Sequence, residues 1–361
     1  MQNQLIVSSP GRVCLFGEHQ DYLLLPVISA AISLRIKISG ELREDSVINI
    51  DLPDINEQIK FSINNKIHYV LERDYFRSGL NILLRNGFTF SRGFNCTVRG
   101  EIPIRAGTSS SSALVVTWIQ FLAMMSDQKS LLHPDVRARF AHLAEVIEFN
   151  EPGGMMDQYA TSHGGVLFIK FFPEVTVEQL KCRLKTFVLG DSKVSKDTKS
   201  VLSRVKNNVL SIVKSVKEKD KNFDLQTVKI DEIDRYRKLL THEQYNLLNA
   251  TIKNRDLTLK ALEILRAATL DDHEFGKILN EHHKILRDVL KISTPKINRM
   301  IDFALEAGAY GGKINGSGGG GCMFVYAPEN PEVIADAVKK AGGKSYIINI
   351  DEGTRIEKNE D

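Results

Sequence analysis

The sequence predicts an α+β protein of two domains. Short runs of β-branched and aromatic residues dominate the first hundred residues, and turn residues break them before any helical period develops. From residue 191 the pattern is mainly helical, and the last sixty residues return to strands around one helix. We therefore place a first domain at residues 1–190 and a second at residues 191–361.

Each predicted element rests on a local pattern of period 2 or period 3.6. The predicted strands are Leu5–Val7, Val13–Phe16, Val27–Ile38, Val47–Ile50, Phe61–Ile63, Phe94–Val98, Val166–Lys170, Thr186–Leu189, Gly312–Asn315, Cys322–Tyr326 and Ser345–Ile350. The predicted helices are Tyr75–Leu84, Ser111–Met125, Asp135–Phe149, Thr198–Val216, His242–Ala267, Phe275–Leu290, Lys296–Glu306 and Pro331–Ala341.

The composition is that of an ordinary globular protein, with 42% hydrophobic and 26% charged residues. A net charge of +3 is too weak to indicate a nucleic-acid partner. The 4 cysteines are scattered without paired spacing, and no run approaches the length of a membrane span. We expect a soluble, cytoplasmic protein that is a monomer or homodimer and has no membrane partner. The basic segment 193–221 is typical of a solvated helix face, and a role in steering phosphate stays open.

The segment Pro10–Tyr22 is the first that indicates chemistry. An apolar strand leads directly into Glu18, His19 and Asp21, which are poor core residues. Carboxylates and imidazole bind hydroxyl groups directionally, so this loop is suited to a small polar ligand. The alternative is a plain polar loop after a strand.

The segment Pro103–Leu114 places a glycine and a run of hydroxyl residues before an apolar helix. The N–H groups in the first turn of a helix are unpaired, and the helix dipole attracts anions there. Four consecutive serines exceed what an N-cap needs, which favours phosphate binding over simple capping. The segment is not a Walker A loop, because the lysine of that motif is missing.

The segment Gly308–Cys322 has five glycines within six residues, between two predicted strands. A hairpin needs far fewer, so we expect a loop that closes over a substrate or nucleotide. The glycine-rich loop proper consists of Gly316, Ser317, Gly318 and Gly319.

Two carboxylates, Glu145 and Asp157, are the last residues that indicate chemistry. Glu145 lies on a predicted helix, and Asp157 follows twelve residues later after a glycine pair. Phosphorylation of a hydroxyl uses one carboxylate near the nucleophile and another on the metal. Arg12 is then available to stabilise phosphoryl charge or to hold Asp157 ionised.

These four segments, in this order, resemble the GHMP kinases, a superfamily that includes galactokinase, homoserine kinase and mevalonate kinase. The resemblance runs from about residue 8 to residue 355. Within the superfamily, Pro10–Tyr22 is similar to the galactokinase sugar signature P-G-R-V-N-L-I-G-E-H-T-D-Y, and Gly308–Cys322 resembles G-V-Y-G-S-R-M-T-G-G-G-F-G-G-C. Further similar elements are Ala144–Gln158, His283–Asp288, Ser293–Pro295 and Gly353–Arg355.

The resemblance implies a ribosomal-protein-S5-like N-terminal domain, a ferredoxin-like C-terminal domain and a site between them. It implies ATP and Mg²⁺ as cofactors and a small-molecule sugar as the partner. The implied roles are Asp157 and Arg12 in catalysis; Glu18, His19, Asp21 and Gly154 in sugar binding; Gly107, Thr108, Ser109, Ser110, Ser111 and Ser112 on the ATP phosphates; and Ser111 and Glu145 on Mg²⁺.

The sequence departs from galactokinase in ways that keep alternatives open. Leu23–Pro26 stands where galactokinases continue with N-G-G, and residues 191–201 contain no tyrosine for a sugar contact. Asp197–Val201 instead resembles the S-T-x-x-V of mevalonate kinases. The main expectation is a kinase for the anomeric hydroxyl of galactose or a related hexose or sugar acid. The alternatives are mevalonate kinase and a non-catalytic sugar- and nucleotide-binding regulator.

Overall fold

The computed structural model describes residues 4–104, 107–195 and 198–358. Arg105 and Ala106 of the serine-rich segment and Asp197 of the S-T-x-x-V-like segment lie outside these ranges. Within them, the strands are β1 (Leu5–Phe16), β2 (Val27–Leu42), β3 (Val47–Leu52), β4 (Glu57–Ser62), β5 (Phe94–Gly100), β6 (Val166–Lys170), β7 (Thr176–Leu180), β8 (Phe187–Asp191), β9 (Gly311–Ile314), β10 (Cys322–Tyr326), β11 (Lys344–Ile348) and β12 (Arg355–Glu357).

The helices carry most of the second half of the chain. They are α1 (Tyr75–Arg85), α2 (Ser110–Met125), α3 (Pro134–His142), α4 (Met156–His163), α5 (Thr198–Lys219), α6 (His242–Arg266), α7 (Asp272–Asp288), α8 (Pro295–Glu306) and α9 (Pro331–Lys340). A π-helical turn, Leu143–Ile147, continues α3.

The first sheet has the order β12-β1-β2-β5-β3-β4, and β6 and β7 extend it from β2. Its long strand β1 joins two predicted strands into one, because the chain passes Pro10 through a register shift against β2 rather than ending there. Helix α2 packs against this sheet and is buried on nearly all sides, with Trp118 fully enclosed. The indole N–H of Trp118 donates to the carbonyl of Phe76 at 2.9 Å, which satisfies the one polar group that this ring buries.

The second sheet has the order β11-β8-β10-β9, with every neighbouring pair antiparallel. Numbered along the chain, this is the 4-1-3-2 order of a ferredoxin-like sheet, with α8 and α9 packed on it. Strand β12 then returns to the first sheet and pairs with β1. The division after residue 190 stays a prediction.

The sequence patterns missed strands β7 and β12 and helix α4, and they gave the helix over Asp135–Phe149 a wrong end. Strands β7 and β12 are short and largely polar, so they carry too few apolar residues to show a period. Helix α4 follows two glycines and contains mostly small or polar residues. The helix predicted over Asp135–Phe149 ends its α-helical part at His142, where the π-helical turn begins.

Candidate active site

The serine-rich loop enters α2 in the way that a phosphate site requires. Ser109 has a left-handed backbone with φ of 59°, and α2 begins at the next residue, Ser110. Its first-turn N–H groups have no acceptor within the helix, so they are available to an anion. Thr108 is fully buried whereas Ser111 is exposed. The predicted phosphate loop therefore lies at a helix N-terminus lined by small side chains.

Arg12 and Asp157 form an ion pair beside this loop. Arg12 Nε donates to Asp157 Oδ1 at 2.8 Å, and Arg12 Nη1 donates to the carbonyl of Gly107 at 2.6 Å. The hydroxyl of Ser109 donates to Asp157 Oδ2 at 2.6 Å instead of capping α2. Burial alone would lower the pKa of Arg12, but the adjacent Asp157 carboxylate raises it. The guanidinium thus stays cationic, and both oxygens of Asp157 are held in place.

Helix α4 carries Asp157 and places it beside Arg12 and Ser109. Asp157 stands in the first turn of α4, where the helix dipole stabilises a carboxylate. The next residue, Gln158, points to the second predicted carboxylate: Gln158 Nε2 donates to Glu145 Oε2 at 2.7 Å. Helix α4 therefore carries Asp157 and, through Gln158, contacts Glu145.

Glu145 lies in the π-helical turn and faces the phosphate loop. Burial raises the pKa of Glu145, and this effect outweighs hydrogen bonds from the hydroxyls of Ser111 and Ser112 and from Gln158. The amide Oε1 of Gln158 is buried without a hydrogen-bond partner in the described part of the chain. A carboxylate, a hydroxyl and a free amide oxygen are the hard oxygen donors that Mg²⁺ prefers.

This donor set fits Mg²⁺ held jointly with ATP. Among the described residues no group of three or more His, Cys, Asp or Glu is placed to hold a metal ion by itself. Mg²⁺ in nucleotide sites usually takes one or two carboxylates, with substrate phosphates and water supplying the other ligands. Ser111 and Glu145 therefore suit a metal that arrives with the nucleotide.

Asp21 faces Gly154 next to the ion pair of Arg12 and Asp157. Asp21 is buried and accepts hydrogen bonds from the N–H groups of Tyr22 at 2.9 Å and Met156 at 3.3 Å. A Cβ on Gly154 would lie 2.1 Å from Asp21 Oδ2, so only glycine lets the chain pass this carboxylate. Burial and the nearby charge of Asp157 raise the pKa of Asp21 to about 6. Two carboxylates therefore lie close together on one wall of the site.

His19 holds two loops together. Its Nε2 is 3.0 Å from the carbonyl of Ser317, which only accepts, so Nε2 carries the proton. Its Nδ1 then accepts from the hydroxyl of Tyr22 at 2.7 Å. Burial lowers the pKa of His19 to about 4, so the ring is neutral at physiological pH. Both ring nitrogens therefore have protein partners, and His19 bridges the loop after β1 and the glycine-rich loop. Its contact with sugar stays a prediction.

Glu18 is buried in a pair that the sequence did not indicate. Lys313 Nζ donates to Glu18 Oε2 at 2.8 Å, and the Lys313 side chain has no solvent exposure. The backbone carbonyl of Glu18 accepts from Asn254 Nδ2 at 2.9 Å. Glu18 thus lies in the loop after β1 that carries Glu18, His19 and Asp21, which we call the acceptor loop, and one of its carboxylate oxygens is already bound.

The glycine-rich loop lies against the phosphate loop. Gly316 has φ of 78°, and a Cβ there would lie 2.6 Å from the carbonyl of Gly107. Ser317 meets His19, and Gly318 and Gly319 turn back onto Ile292, whose carbonyl accepts from the N–H of Gly319 at 2.7 Å. The structure therefore brings all four predicted segments together at one place between the two sheets.

Family models match this chain in three places. The GHMP kinases N-terminal domain matches residues 73–165, and the GHMP kinases C-terminal model matches residues 260–344. The galactokinase galactose-binding signature matches residues 1–40. The chain belongs to the GHMP kinase superfamily. It is therefore a kinase, and the superfamily takes ATP as its phosphate donor.

Relatives of this GHMP kinase carry two different names. Mevalonate kinase of Thermococcus sibiricus is 29% identical, over 98% of this chain and 98% of that relative. Galactokinase of Haemophilus influenzae is 25% identical, over 98% of this chain and 95% of that relative. Among solved structures, the galactose complex of Lactococcus lactis galactokinase has a TM-score of 0.84 at 22% identity, covering 98% of this chain and 95% of that one. Mevalonate kinase of Methanococcus jannaschii has a TM-score of 0.74 at 20% identity, covering 96% and 98%. These structures confirm the two-domain α+β fold.

These differently named relatives leave unresolved which molecule accepts the phosphoryl group in this kinase.

In the part of the chain that the structure describes, no helix is both long and apolar enough to cross a membrane.

Proposed function

We propose that this kinase transfers the γ-phosphoryl group of ATP to the anomeric hydroxyl of galactose or of a related hexose or sugar acid. The observation that carries the proposal is the position of Asp21, a carboxylate set against Gly154 beside Asp157. Among the described residues, no Lys or Arg lies within ion-pair distance of Asp21. An uncompensated carboxylate favours an acceptor rich in hydroxyl donors and disfavours an anionic group at that point.

In the proposed reaction, Asp157 orients the acceptor hydroxyl and takes its proton. The hydroxyl oxygen forms a bond to the γ-phosphorus, and the bond from that phosphorus to the bridging oxygen breaks, releasing ADP. Arg12 holds Asp157 ionised through its Nε and stabilises negative charge at the adjacent phosphate loop. Ser111 and Glu145 are the residues that would hold Mg²⁺, which when bound neutralises phosphate charge.

The nucleotide phosphates are assigned to the loop from Gly107 to Ser112, at the N-terminus of α2. Glu18, Asp21 and the backbone at Gly154 are assigned to the sugar. The glycine-rich loop is assigned to closure over the nucleotide. These roles are proposals that follow from position and donor chemistry.

Mevalonate phosphorylation is the second candidate, and one observation favours it. The chain matches mevalonate kinases along 98% of its length at up to 29% identity. The two candidates differ in what they require of Asp21. A mevalonate site needs a cation for the substrate carboxylate, so it should tolerate loss of this acid, whereas a sugar site should not.

The test is ADP release from ATP with galactose, other hexoses, uronic acids and mevalonate, in the wild type and in Asp157→Asn. We expect turnover with one sugar class and none with mevalonate, and for the variant a kcat lowered by about 10²–10⁴-fold. Turnover of mevalonate alone would contradict the proposal. Ligand-induced stabilisation without ADP release would support a non-catalytic binding protein instead.

A further inference from the structure

The outer edge of β1 is where the second domain reaches the active site. β1 pairs with β2 along most of its length, whereas β12 covers its other edge only from Ile6 to Ser8. Further along that open edge, the N–H of Arg12 donates to the carbonyl of Thr108 at 3.2 Å. The edge beyond Arg12 needs other partners, because buried backbone groups must be hydrogen-bonded.

Two side chains of the second domain bind the backbone of one residue, Cys14. The N–H of Cys14 donates to Asn315 Oδ1 at 2.9 Å. The carbonyl of Cys14 accepts from Lys313 Nζ at 2.7 Å. Cys14, Lys313 and Asn315 all have 0% exposure, so water does not compete for these bonds.

The strand geometry of β9 explains why both side chains point the same way. Asn315 directly follows the last residue of β9 and continues its alternation of side chains. Residues two apart in this alternation project from the same face, so Lys313 and Asn315 face the first sheet while Ile314 packs into the core of the second domain. Their positions are fixed by β10, since Lys313 pairs with Phe324 and the N–H of Asn315 donates to the carbonyl of Cys322 at 2.9 Å. We call Lys313 and Asn315 the β9 clamp.

Each clamp residue also reaches a loop of the active site. Lys313 forms the buried ion pair with Glu18 Oε2 at 2.8 Å. Asn315 Nδ2 donates to the carbonyl of Gly107 at 2.9 Å. That same carbonyl accepts from Arg12 Nη1 at 2.6 Å, and Arg12 in turn binds Asp157.

We propose that the β9 clamp positions the reacting groups: Lys313 fixes the carboxylate of Glu18 in the acceptor loop, and Asn315 fixes Gly107 where Arg12 binds it. This inference rests on the proposed kinase function, and it assigns roles in that function to residues of the second domain. The clamp ties the acceptor loop and the phosphate loop to β9 and to the residue that follows it. A shift of about 1 Å in reacting groups lowers turnover roughly 100-fold, so such a tether acts on catalysis as well as on folding.

The Asn315 arm is tested with Asn315→Asp. Aspartate keeps the acceptor for Cys14 but places a carboxylate oxygen, in place of the N–H donor, against the carbonyl of Gly107. We expect kcat to fall roughly 100-fold and the KM for ATP to rise, with a smaller change in the KM for the acceptor. The matched control is Asn280→Ala: Asn280 Oδ1 accepts from the N–H of Gly312 in the same strand at 2.9 Å but is not part of the clamp. If the control lowers kcat as much as Asn315→Asp does at equal thermal stability, the proposal is wrong.

The Lys313 arm is tested with Lys313→Met, Glu18→Gln and the double variant. Lys313→Met leaves a buried carboxylate unpaired, so it should destabilise the protein and raise the acceptor KM about tenfold or more. The double variant removes both charges and should recover part of the lost stability, since the buried carbonyl of Cys14 still lacks its donor from Lys313. If Lys313 acts through Glu18, the double variant has the same acceptor KM as Glu18→Gln alone. Fully additive effects on KM would overturn this arm.

A binding readout separates failure of the clamp from failure of the proposed function. ATP should raise the Tm of the wild type and of Asn280→Ala, and this rise should be lost in Asn315→Asp. A wild type that releases no ADP with any acceptor would refute the kinase proposal, while the Tm comparison would still decide the clamp. An undiminished ATP-induced shift in Asn315→Asp would refute the clamp even in an active kinase.

Discussion

Asp21 gives the sharpest prediction, because its ionisation is coupled to sugar binding within an accessible pH range. Burial and the Asp157 charge raise its pKa to about 6. At that pKa about 90% of Asp21 is ionised at pH 7 and about 10% at pH 5. The ionised form is the stronger hydrogen-bond acceptor for a sugar hydroxyl. We therefore expect the sugar KM to rise several-fold between pH 7 and pH 5.

Asp21→Asn removes this dependence. A hydrogen bond to a charged group contributes about 1.5–3 kcal/mol, so the variant should raise the sugar KM roughly 10- to 100-fold at pH 7. Because asparagine does not ionise, residue 21 of the variant should contribute no pH dependence to the sugar KM. ATP and the other site groups titrate in both enzymes, so the difference between the two pH profiles isolates Asp21.

The same substitution should stabilise the fold. Folding raises the pKa of Asp21 from 3.8 to about 6, so the native state favours the protonated form. Below pH 3.8 both states are protonated and there is no penalty, whereas above pH 6 both are ionised and the penalty is complete. At 1.36 kcal/mol per pH unit the penalty at pH 7 is up to about 3 kcal/mol, and Asp21→Asn should recover part of it.

The assay is steady-state kinetics from pH 5 to pH 8, together with urea unfolding at pH 7. Asp302→Asn, an exposed carboxylate on α8, is the control. A sugar KM that is independent of pH in the wild type would refute the reasoning. So would a variant that is less stable at pH 7 and binds sugar as the wild type does.

The remaining predictions concern the catalytic, metal and loop residues. Asp157→Asn should lower kcat by about 10²–10⁴-fold with a Tm near that of the wild type, measured by ADP release and calorimetry, and near-normal turnover would overturn the assignment. Glu145→Gln should raise the Mg²⁺ concentration for half-maximal activity about tenfold or more, checked by Mg²⁺ titration at fixed ATP; an unchanged requirement would place the metal elsewhere. Gly316→Ala should raise the KM for ATP and lower the Tm, because its Cβ would lie 2.6 Å from the carbonyl of Gly107 where φ is 78°, and unchanged values would show that the loops adjust freely.

Much of the fold could be predicted from the sequence, because its signal is local. The period-2 runs of the first sheet and the apolar helix α2 are patterns that neighbouring residues carry. The phosphate loop and Asp157 were indicated by residue type and order along the chain. Helix α4 was missed because its small and polar residues show no apolar stripe, although it is the element that places Asp157.

The partners of the site residues could not be predicted, because they are long-range. Lys313 is 295 residues from Glu18, and a lysine in a sequence is normally assigned to the surface. The carbonyl that occupies His19 Nε2 is 298 residues away, so the bridging position of His19 depends on how the two domains meet. A buried ion pair and a fixed imidazole tautomer are properties of the assembled fold.

The most direct test of the central claim is a competition for the phosphoryl group. Limiting ATP is incubated with the kinase, Mg²⁺ and equal concentrations of galactose and mevalonate, and the products are identified by phosphorus NMR. Besides the signals of ADP, the account predicts one phosphate monoester signal, from phosphate on the anomeric oxygen of the sugar and split by the proton on C1. A signal from phosphomevalonate with no sugar phosphate would contradict it.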